Sequence, residues 1–324
     1  MIYQNATAEP REELQDFIQE GVTDFGEFVG LQLLPPMPLT LVTGHVPKIT
    51  IAKGDLLRAA NRNRAPGTNF NRWQMAIDAH SITLVQVAEE QSIPDEQTML
   101  YEDYFDIEAL GATEATSRLK RGHEIECEGA IFNTGNFDSN NTSVAWTAAN
   151  CATTGAATPA VPINDILAAI RVVKARGERP NTVVIPGPVW DRISLCNQMI
   201  QFVAGTVNPA AVVTAVDLQK KLAVHGIEQV LVPDCYVNQS DSLSSAVINA
   251  VWPNTYVAVI SAKPGALRGG GVGRTFYWDK QGPLFQLFSY RDEVKASNVI
   301  RSRKTTLTDI TNTRAGTLIG TQYS

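Results

Sequence analysis

The sequence has few charged residues and no basic excess, and both shortages exclude classes of protein. Charged residues make up 19% of the 324 residues, whereas apolar residues make up 44%. Soluble domains usually contain about 25% charged residues. The net charge of −6 also argues against a general nucleic-acid-binding protein, which carries excess positive charge. Ordinary apolar content with little charge favours a chain that buries surface against other subunits, although a large monomer fits it too.

Long apolar runs and paired cysteines are also missing. No run approaches the ~20 residues that span a bilayer. The acidic N-terminal region lacks the basic stretch and apolar run of a secretory signal, so we expect a cytoplasmic product. The chain has four cysteines far apart, with no C-x-x-C pair: Cys127, Cys151, Cys196 and Cys235. We expect these to be reduced, partly buried thiols.

Motifs of catalysis and of metal or phosphate binding are absent from the sequence. The four histidines lie in different predicted elements without ligand spacing: His45, His80, His123 and His225. His123-Glu124 begins like a zinc-protease motif, but Cys127 replaces the second histidine, so we expect a surface pair on a helix. The Gly-rich segment 268–274 precedes a predicted strand, whereas a phosphate cradle precedes a helix, so we expect a flexible connection. We therefore predict a protein that is not an enzyme and has no cofactor or metal.

Charge is sorted along the chain. Residues 1–40 contain seven acids and one base, and residues 41–80 contain six bases and two acids. Residues 81–130 contain twelve acids and three bases, and residues 260–324 contain ten bases and four acids. Either these faces are solvated within a monomer, or acidic and basic segments of neighbouring copies meet. The candidate interface residues are Lys53, Arg58, Arg62 and Arg64 on the basic side and Glu12, Glu13 and Asp16 on the acidic side.

Local patterns predict an arm, a two-stranded excursion and a long helix in the first half of the chain. Pro35, Pro36 and Pro38 are expected to exclude regular structure at the end of the arm. Alternating apolar residues predict two strands within residues 45–93. One long helix is predicted from Asp95, as its N-cap, to residue 132. Bends are expected in it at the two glycines Gly111 and Gly122.

The second half of the chain predicts a compact α/β region. A short strand is expected at residues 144–146, before an apolar stripe that predicts a helix over 163–173, ended at Gly177. Three β-branched residues at 182–184 predict a strand buried on both faces, and Pro188 opens the next helix. Asp217 is predicted to cap a further helix. More strands are predicted at 227–232, 247–251, 256–260, 274–278 and 284–290.

The order of these elements resembles the Hong Kong 97-type fold of the major capsid proteins of tailed bacteriophages. The resemblance covers about residues 45–310. It rests on short sequence matches, each of which has low specificity by itself, whereas their order along the chain is more specific. The matches are EGAIFN at 128–133, INDI at 163–166, RPNTVVI at 179–185, LAVHGI at 222–227, VWP at 251–253 and GRTF at 273–276.

The resemblance implies an α+β capsid fold and a structural function, in which many copies form an icosahedral shell around packaged double-stranded DNA. The implied parts are an N-terminal arm (1–44), an extended β-hairpin loop (45–93), a peripheral domain with its spine helix (94–159), an α/β axial domain (160–262), and return strands of the peripheral domain with the C-terminus (263–324).

The partners implied by the resemblance are other copies in hexamers and pentamers, a portal protein, and packaged DNA contacted non-specifically. No membrane is involved, and the shell is assembled in the bacterial host cytoplasm. Some relatives carry a removable N-terminal scaffolding domain. Because the arm here starts almost at Met1, we expect a separate scaffolding protein, or none, and no large cleavage.

Two alternatives remain open at this point. One is an encapsulin-like compartment that holds cargo enzymes. The other is a cytoplasmic α/β enzyme with an unrecognised site, which a strongly polar pocket within residues 160–262 would favour.

Overall fold

The computed structural model mixes helices and sheets, which confirms the predicted α+β class. It describes residues 9–10, 28–49, 67, 69, 77–101, 106–137, 139–141, 144–151, 160–205, 213–240, 247–265 and 270–321. The helices are α1 (Gly30–Leu33), α2 (Asp95–Tyr101), α3 (Ile107–Ile131), α4 (Ala148–Cys151), α5 (Pro162–Ala175), α6 (Gly187–Ile193), α7 (Asn197–Ala204) and α8 (Ala215–Leu222).

The strands form two larger sheets and two hairpins. They are β1 (Glu9–Pro10), β2 (Pro36–Leu39), β3 (Thr43–Ile49), β4 (Ile77–Thr83), β5 (Val85–Pro94), β6 (Ser139–Asn141), β7 (Thr182–Val184), β8 (Gln229–Leu231), β9 (Tyr236–Asn238), β10 (Ile248–Ala250), β11 (Tyr256–Ile260), β12 (Gly273–Trp278), β13 (Gln286–Asp292), β14 (Ser297–Ile310) and β15 (Gly316–Gly320).

The six-stranded sheet is built around the long strand β14. Its order is β1-β13-β14-β12-β2, and β5 pairs antiparallel with β14 from Val85–Thr306 to Pro94–Ser297. Helix α3 packs on this sheet through a small apolar core: Ile93, Ala112, Leu119, Phe285, Leu287 and Ile300.

The five-stranded sheet has the order β6-β15-β11-β7-β8. All three residues of β7 are buried, as the β-branched run predicted. The strand ends before Pro186, and Pro188 stands in the first turn of α6, since its missing N–H needs no partner there. Helix α5 covers the sheet with the predicted stripe and ends at Ala175. Gly177 follows two residues later, and its φ of +87° suits glycine.

The prediction of one continuous helix from Asp95 to residue 132 is wrong, because a separate helix begins after Asp106. This residue has an extended backbone, and its carboxylate accepts the backbone N–H groups of Glu108 and Ala109. It is therefore the N-cap of α3, which continues unbroken through Gly111 and Gly122. A Cβ at Gly111 would lie 3.0 Å from Ile93 Cδ1, so this glycine allows close packing of the helix on β5.

Two other predicted caps differ in the structure. Asp95 is the first residue of α2 rather than its cap, and its carboxylate binds the Arg291 guanidinium with both oxygens, at 2.5 and 2.6 Å. Thr214 caps α8, and its hydroxyl accepts the backbone N–H of Asp217. In α8 the hydroxyl of Thr214 thus takes the capping position that the pattern assigned to Asp217, whereas the Asp95 carboxylate is engaged by an ion pair.

Two predictions about strands are also wrong. The prolines after α1 do not exclude regular structure, because Pro36–Leu39 forms β2 at the edge of the six-stranded sheet. An edge strand tolerates proline because one side of it needs no donors. The strand predicted at 144–146 is absent there, and the neighbouring strand is β6 instead. Trp146 is buried and donates its indole N–H to Asp165 at 2.9 Å.

The final strand returns to the five-stranded sheet. Strand β15 pairs antiparallel with β11 and parallel with β6. The predicted domain boundaries stay predictions.

Candidate subunit-interface site

The seven predicted interface residues lie outside the described residues: Lys53, Arg58, Arg62, Arg64, Glu12, Glu13 and Asp16. The structure describes instead the hairpin from which the basic segment starts. Strands β3 and β4 pair antiparallel from Thr43–Thr83 to Ile49–Ile77. Residues 50–76, which contain the basic candidates, therefore begin and end at one end of this hairpin.

The hairpin is anchored at its other end by an apolar cluster. Ile82 and Leu84 are buried against Phe276 of β12, and the partly buried Val46 packs on the same cluster. His45 and Ser81 also form a hydrogen bond across the two strands, with 3.1 Å between Nδ1 and Oγ. The hairpin is thus anchored on the six-stranded sheet at the end opposite to the one where the basic segment starts.

Strand β5 is exposed to an extent unusual for a strand of a packed sheet. Residues 85–92 are exposed on both faces, including Val85 (58% exposed) and Val87 (37%). Among the described residues β5 pairs with β14 alone, so its outer edge offers backbone N–H and C=O groups for pairing. Such an edge is a template for a strand of another chain.

Acidic side chains accompany this exposed strand. Glu89 and Glu90 lie on opposite faces of β5, and both are exposed. Glu90 binds the Arg301 side chain at 2.5 Å and accepts a hydrogen bond from the Tyr290 hydroxyl at 3.2 Å. This edge of the sheet therefore combines apolar contact area with negative charge.

Further large apolar side chains are exposed elsewhere. They are Met99, Leu100 and Leu110 near the six-stranded sheet, and Leu195, Val216, Val224, Val247 and Ile248 around the five-stranded sheet. Single exposed apolar residues are normal, but clusters of them mark interaction surfaces.

The predicted surface pair His123-Glu124 is buried, so that prediction is wrong. Glu124 is 1% exposed on α3, and its carboxylate accepts three N–H groups. These come from the backbone of Val29 at 3.1 Å, the backbone of Gly30 at 2.8 Å and the indole of Trp252 at 2.8 Å. The carboxylate thus joins α1, α3 and the segment before β11. Its partners are distant in sequence, so spacing gave no signal of this role.

Glycine at position 30 belongs to the same arrangement. A Cβ there would lie 2.7 Å from Glu124 Oε2 and 2.8 Å from Cys127 Sγ, which is too close for either contact. The carboxylate can therefore approach the backbone only because residue 30 has no side chain.

Replacing Glu124 with glutamine is expected to destabilise the fold by about 2–3 kcal/mol, because an amide N–H₂ would face N–H donors. Urea unfolding measures the difference. Glu114→Gln is the matched control, since Glu114 is exposed on the same helix and forms an ion pair with the exposed Arg118, at 3.3 Å. We expect this control to change stability by less than about 0.5 kcal/mol. Equal stability of the two variants would contradict the role of Glu124.

A second buried polar group lies where α3 meets β14. Lys304 is buried, with its side chain 1% exposed, and its Nζ lies 2.9 Å from Glu126 Oε2. The His123 ring is also buried, with Nδ1 3.7 Å from the same carboxylate. Burial raises the pKa of Glu126, but His123 and Lys304 outweigh it, so the net pKa is lowered. Burial lowers the pKa of His123, and Lys304 adds to this, while Glu126 partly opposes it.

We expect stability to decrease as the pH falls from 7 to 5. Folded His123 stays neutral, whereas the unfolded chain takes up a proton near pH 6.5, so stability is lost below that pH. The loss is at most about 1.4 kcal/mol per pH unit for one group. Glu126 contributes a further loss only at lower pH, as the pH falls through its lowered pKa.

Denaturant unfolding at pH 7, 6 and 5 tests this expectation. His123→Gln should remove most of the slope, and His45→Gln, at an exposed position, should keep it. An unchanged slope in His123→Gln would show that another group causes the acid sensitivity.

The Gly-rich segment leads into β12, as predicted, but its described residues are held in place. The buried Arg274 guanidinium donates to the carbonyl oxygens of Gly265, Gly270 and Gly273, at 3.2, 2.7 and 2.7 Å. Its N–H donors therefore point to the backbone, which leaves this arginine poorly placed to bind phosphate.

The described residues contain neither a metal site nor a membrane-spanning helix. No group of three or more histidine, cysteine or acidic side chains among them is placed to hold a metal ion. None of their helices is both long and apolar enough to cross a bilayer. All four cysteines are buried, and none of them forms a disulfide.

Comparison with known proteins gives matches in structure alone. No protein-family model matches the chain, and no curated protein matches its sequence. A phage-related protein from Bordetella bronchiseptica RB50 matches with a TM-score of 0.69 and 18% identity over 98% of each chain. The capsid of cyanophage P-SCSP1u matches with a TM-score of 0.59 and 10% identity, over 92% of this chain and 89% of that one.

A third match is a virus-like particle from Pyrococcus furiosus, with a TM-score of 0.54 and 12% identity over 95% of this chain and 96% of that one. The similarity extends over nearly the whole chain in each case, beyond the span that the short motifs predicted. The chain therefore has the fold of phage capsid proteins.

Proposed function

We propose that this chain is the major capsid protein of a tailed bacteriophage. In this function many copies form an icosahedral shell that encloses double-stranded DNA, and the shell is assembled in the cytoplasm of the bacterial host. The observation that carries the proposal is the similarity to the cyanophage capsid over 92% of this chain.

The surface of the subunit supports assembly with other copies. The outer edge of β5 has no strand partner among the described residues, and Val85 and Val87 are exposed beside it. Both features are costly for a monomer and are relieved when another chain covers them. We therefore take copies of this chain as its main partner.

Charge sorting supports a specific contact between copies. The basic segment starts from a hairpin anchored in the six-stranded sheet, and acidic side chains lie along β5 and α2. We propose that Lys53, Arg58, Arg62 and Arg64 of one copy meet acidic residues of the next, including Glu12, Glu13 and Asp16. Such contacts set orientation and speed encounter more than they add affinity.

A portal protein, a separate scaffolding protein and non-specific contact with DNA complete the proposal. They are properties of shells of this kind, and the overall fold is their support. The role proposed here is structural, without catalysis.

An open cleft of about 790 Å³ bears on the enzyme alternative. It lies beside the end of α5, and its lining includes Lys174, Arg179, Asn181, His225 and Lys263. No serine, threonine or cysteine is among the described residues that line it, and Lys174 donates to the carbonyl oxygen of His225 at 2.6 Å. This polar lining is the feature that the enzyme alternative calls for, so the cleft does not count against that alternative. The structural proposal is supported instead by the similarity to the cyanophage capsid.

A protein compartment that holds cargo is the second candidate function. Its support is that a protein described as a virus-like particle, rather than as a phage capsid, matches the chain with a similar TM-score. The contents of particles from the native host distinguish the two candidates. Long double-stranded DNA would support the phage capsid, and enclosed protein without DNA would support the compartment.

Sedimentation velocity of the purified chain tests assembly itself. We expect particles, pentamers or hexamers without added metal or cofactor. A single monomeric species at every salt and crowding condition would contradict the proposed function.

A further inference from the structure

The hairpin of β3 and β4 faces the six-stranded sheet with one row of side chains. Partners across an antiparallel pair lie on the same face, and so do residues two positions apart in one strand. His80 pairs with Val46 and lies two residues before Ile82. Ile82 is buried, and Val46 partly buried, in one apolar cluster with Phe276 of β12. His80 therefore belongs to the row that faces the sheet.

A polar contact joins this row to the long strand β14. The Oδ2 atom of Asp309 accepts a hydrogen bond from Nε2 of His80, although 229 positions separate the two residues in sequence. Asp309 lies two residues after Leu307, which packs on the same apolar cluster as Ile82. Apolar packing and a contact with a carboxylate therefore both attach the hairpin to the sheet.

The polar contact lies closer to the basic segment than the apolar cluster does. His80 is the fourth of the seven residues of β4, and Val46 is the fourth of the seven residues of β3. The buried Ile82 and Leu84 lie on the side away from the basic segment. Ala79, the next residue toward that segment, is exposed. Since a strand rises about 3.3 Å per residue, β4 begins about 10 Å beyond His80.

The polar contact can open while the apolar cluster stays packed. The side chains of His80 and Asp309 are 33% and 26% exposed, so water can solvate both of them. Ile82 and Phe276 are almost completely buried. A polar pair that water reaches contributes little to stability, whereas burial of apolar surface contributes much. A hairpin attached only through the cluster could pivot there, and the second point of attachment removes that freedom.

We propose that His80 and Asp309 form a latch that fixes the angle of the β3–β4 hairpin on the six-stranded sheet. With the latch closed, the hairpin points in one direction. With the latch open, the hairpin pivots about the cluster at Ile82, and the subunit stays folded. The use of a fixed direction to bring the basic segment to a second copy rests on the proposed function, whereas the latch itself does not.

Distances between spin labels in the full-length chain test the latch. One label is attached at Ala79→Cys on the hairpin and one at Glu114→Cys on α3, both at exposed positions, whereas the four native cysteines are buried. An excess of unlabelled protein ensures that the measured distances lie within one subunit. We expect one narrow distance distribution, which becomes broader and shifts its mean after His80→Ala or Asp309→Ala. A broad distribution with both latch residues present, or a narrow one without them, would overturn the proposal.

Two further variants distinguish a latch from general loosening of the hairpin. The exchanged pair, His80→Asp with Asp309→His, restores the contact, so the narrow distribution should return. Ser81→Ala is the matched control, because Ser81 binds His45 within the hairpin, and it should keep the narrow distribution. Circular dichroism should show every variant folded. Broadening in Ser81→Ala, or a distribution that stays broad in the exchanged pair, would count against the latch.

The failure of the latch and the failure of the proposed function give different results. A chain that stays monomeric but has a narrow distribution dependent on His80 would support the latch and contradict the proposed shell. Assembled particles in which the distances do not respond to His80→Ala or Asp309→Ala would support the shell and overturn the latch.

Discussion

Changing Glu126 to glutamine is expected to destabilise the folded chain by about 3 kcal/mol. The change leaves the Lys304 ammonium, 1% exposed, without the carboxylate that lies 2.9 Å away. Removing one partner of a buried ion pair costs about 3–5 kcal/mol, and the lower value applies because Glu126 is 39% exposed and water can reach it. Guanidinium chloride unfolding measures the loss.

The opposite change should be much milder, and this asymmetry is the control. Lys304→Met removes the buried charge and leaves a carboxylate that water can solvate, so we expect a loss below about 1 kcal/mol. The double variant should be about as stable as Lys304→Met alone. Equal losses in the two single variants would show that packing, rather than an uncompensated charge, determines stability at this site.

Changing Arg58, Arg62 and Arg64 together to glutamate is expected to leave the subunit folded and block or misdirect assembly. One exposed ion pair contributes only about 0–1 kcal/mol, but several acting on a contact repeated throughout a shell combine. The effect should weaken as salt increases, because screening acts over about 8–10 Å. Circular dichroism reports folding, and sedimentation reports assembly.

Two further variants make this test specific. Lys220, Lys221 and Lys295 changed to glutamate give the same change in net charge at exposed positions outside the basic segment, and we expect normal assembly. Adding Glu12→Lys, Glu13→Lys and Asp16→Lys to the arginine triple variant should restore assembly in part. Normal particles from the arginine triple variant at low salt would mean that these arginines contact solvent rather than another copy.

The α/β half of the fold was predictable because its signals are local. The β-branched run of β7, the proline that opens α6 and the stripe of α5 each lie within a few residues of the element that they specify. The β-branched run at 182–184 also predicted burial on both faces of β7, since a continuous run of such residues is typical of a central strand.

The six-stranded sheet was harder to predict because its strands do not alternate clearly between apolar and polar residues. Strand β5 is exposed on both faces, and the 14-residue β14 buries lysine, serine and threonine as well as apolar residues. Apolar and polar residues alternate along a strand only where one face of the strand is buried and the other is exposed to solvent. Neither strand offers that contrast over its full length.

The buried polar groups were missed for a different reason. Glu124 is stabilised by residues 94, 95 and 128 positions away along the chain, and the partner of Glu126 lies in the distant strand β14. A charged side chain on a helix is normally predicted to be exposed, because charged residues are rarely buried without a partner and the sequence does not reveal such partners. Only the tertiary structure brings those partners together.

Electron microscopy of the purified protein, expressed alone, tests the central claim most directly. The account predicts closed particles of icosahedral symmetry, or the rings of five and six subunits from which they are built. Uniform single subunits of 35.2 kDa under all assembly conditions would contradict it.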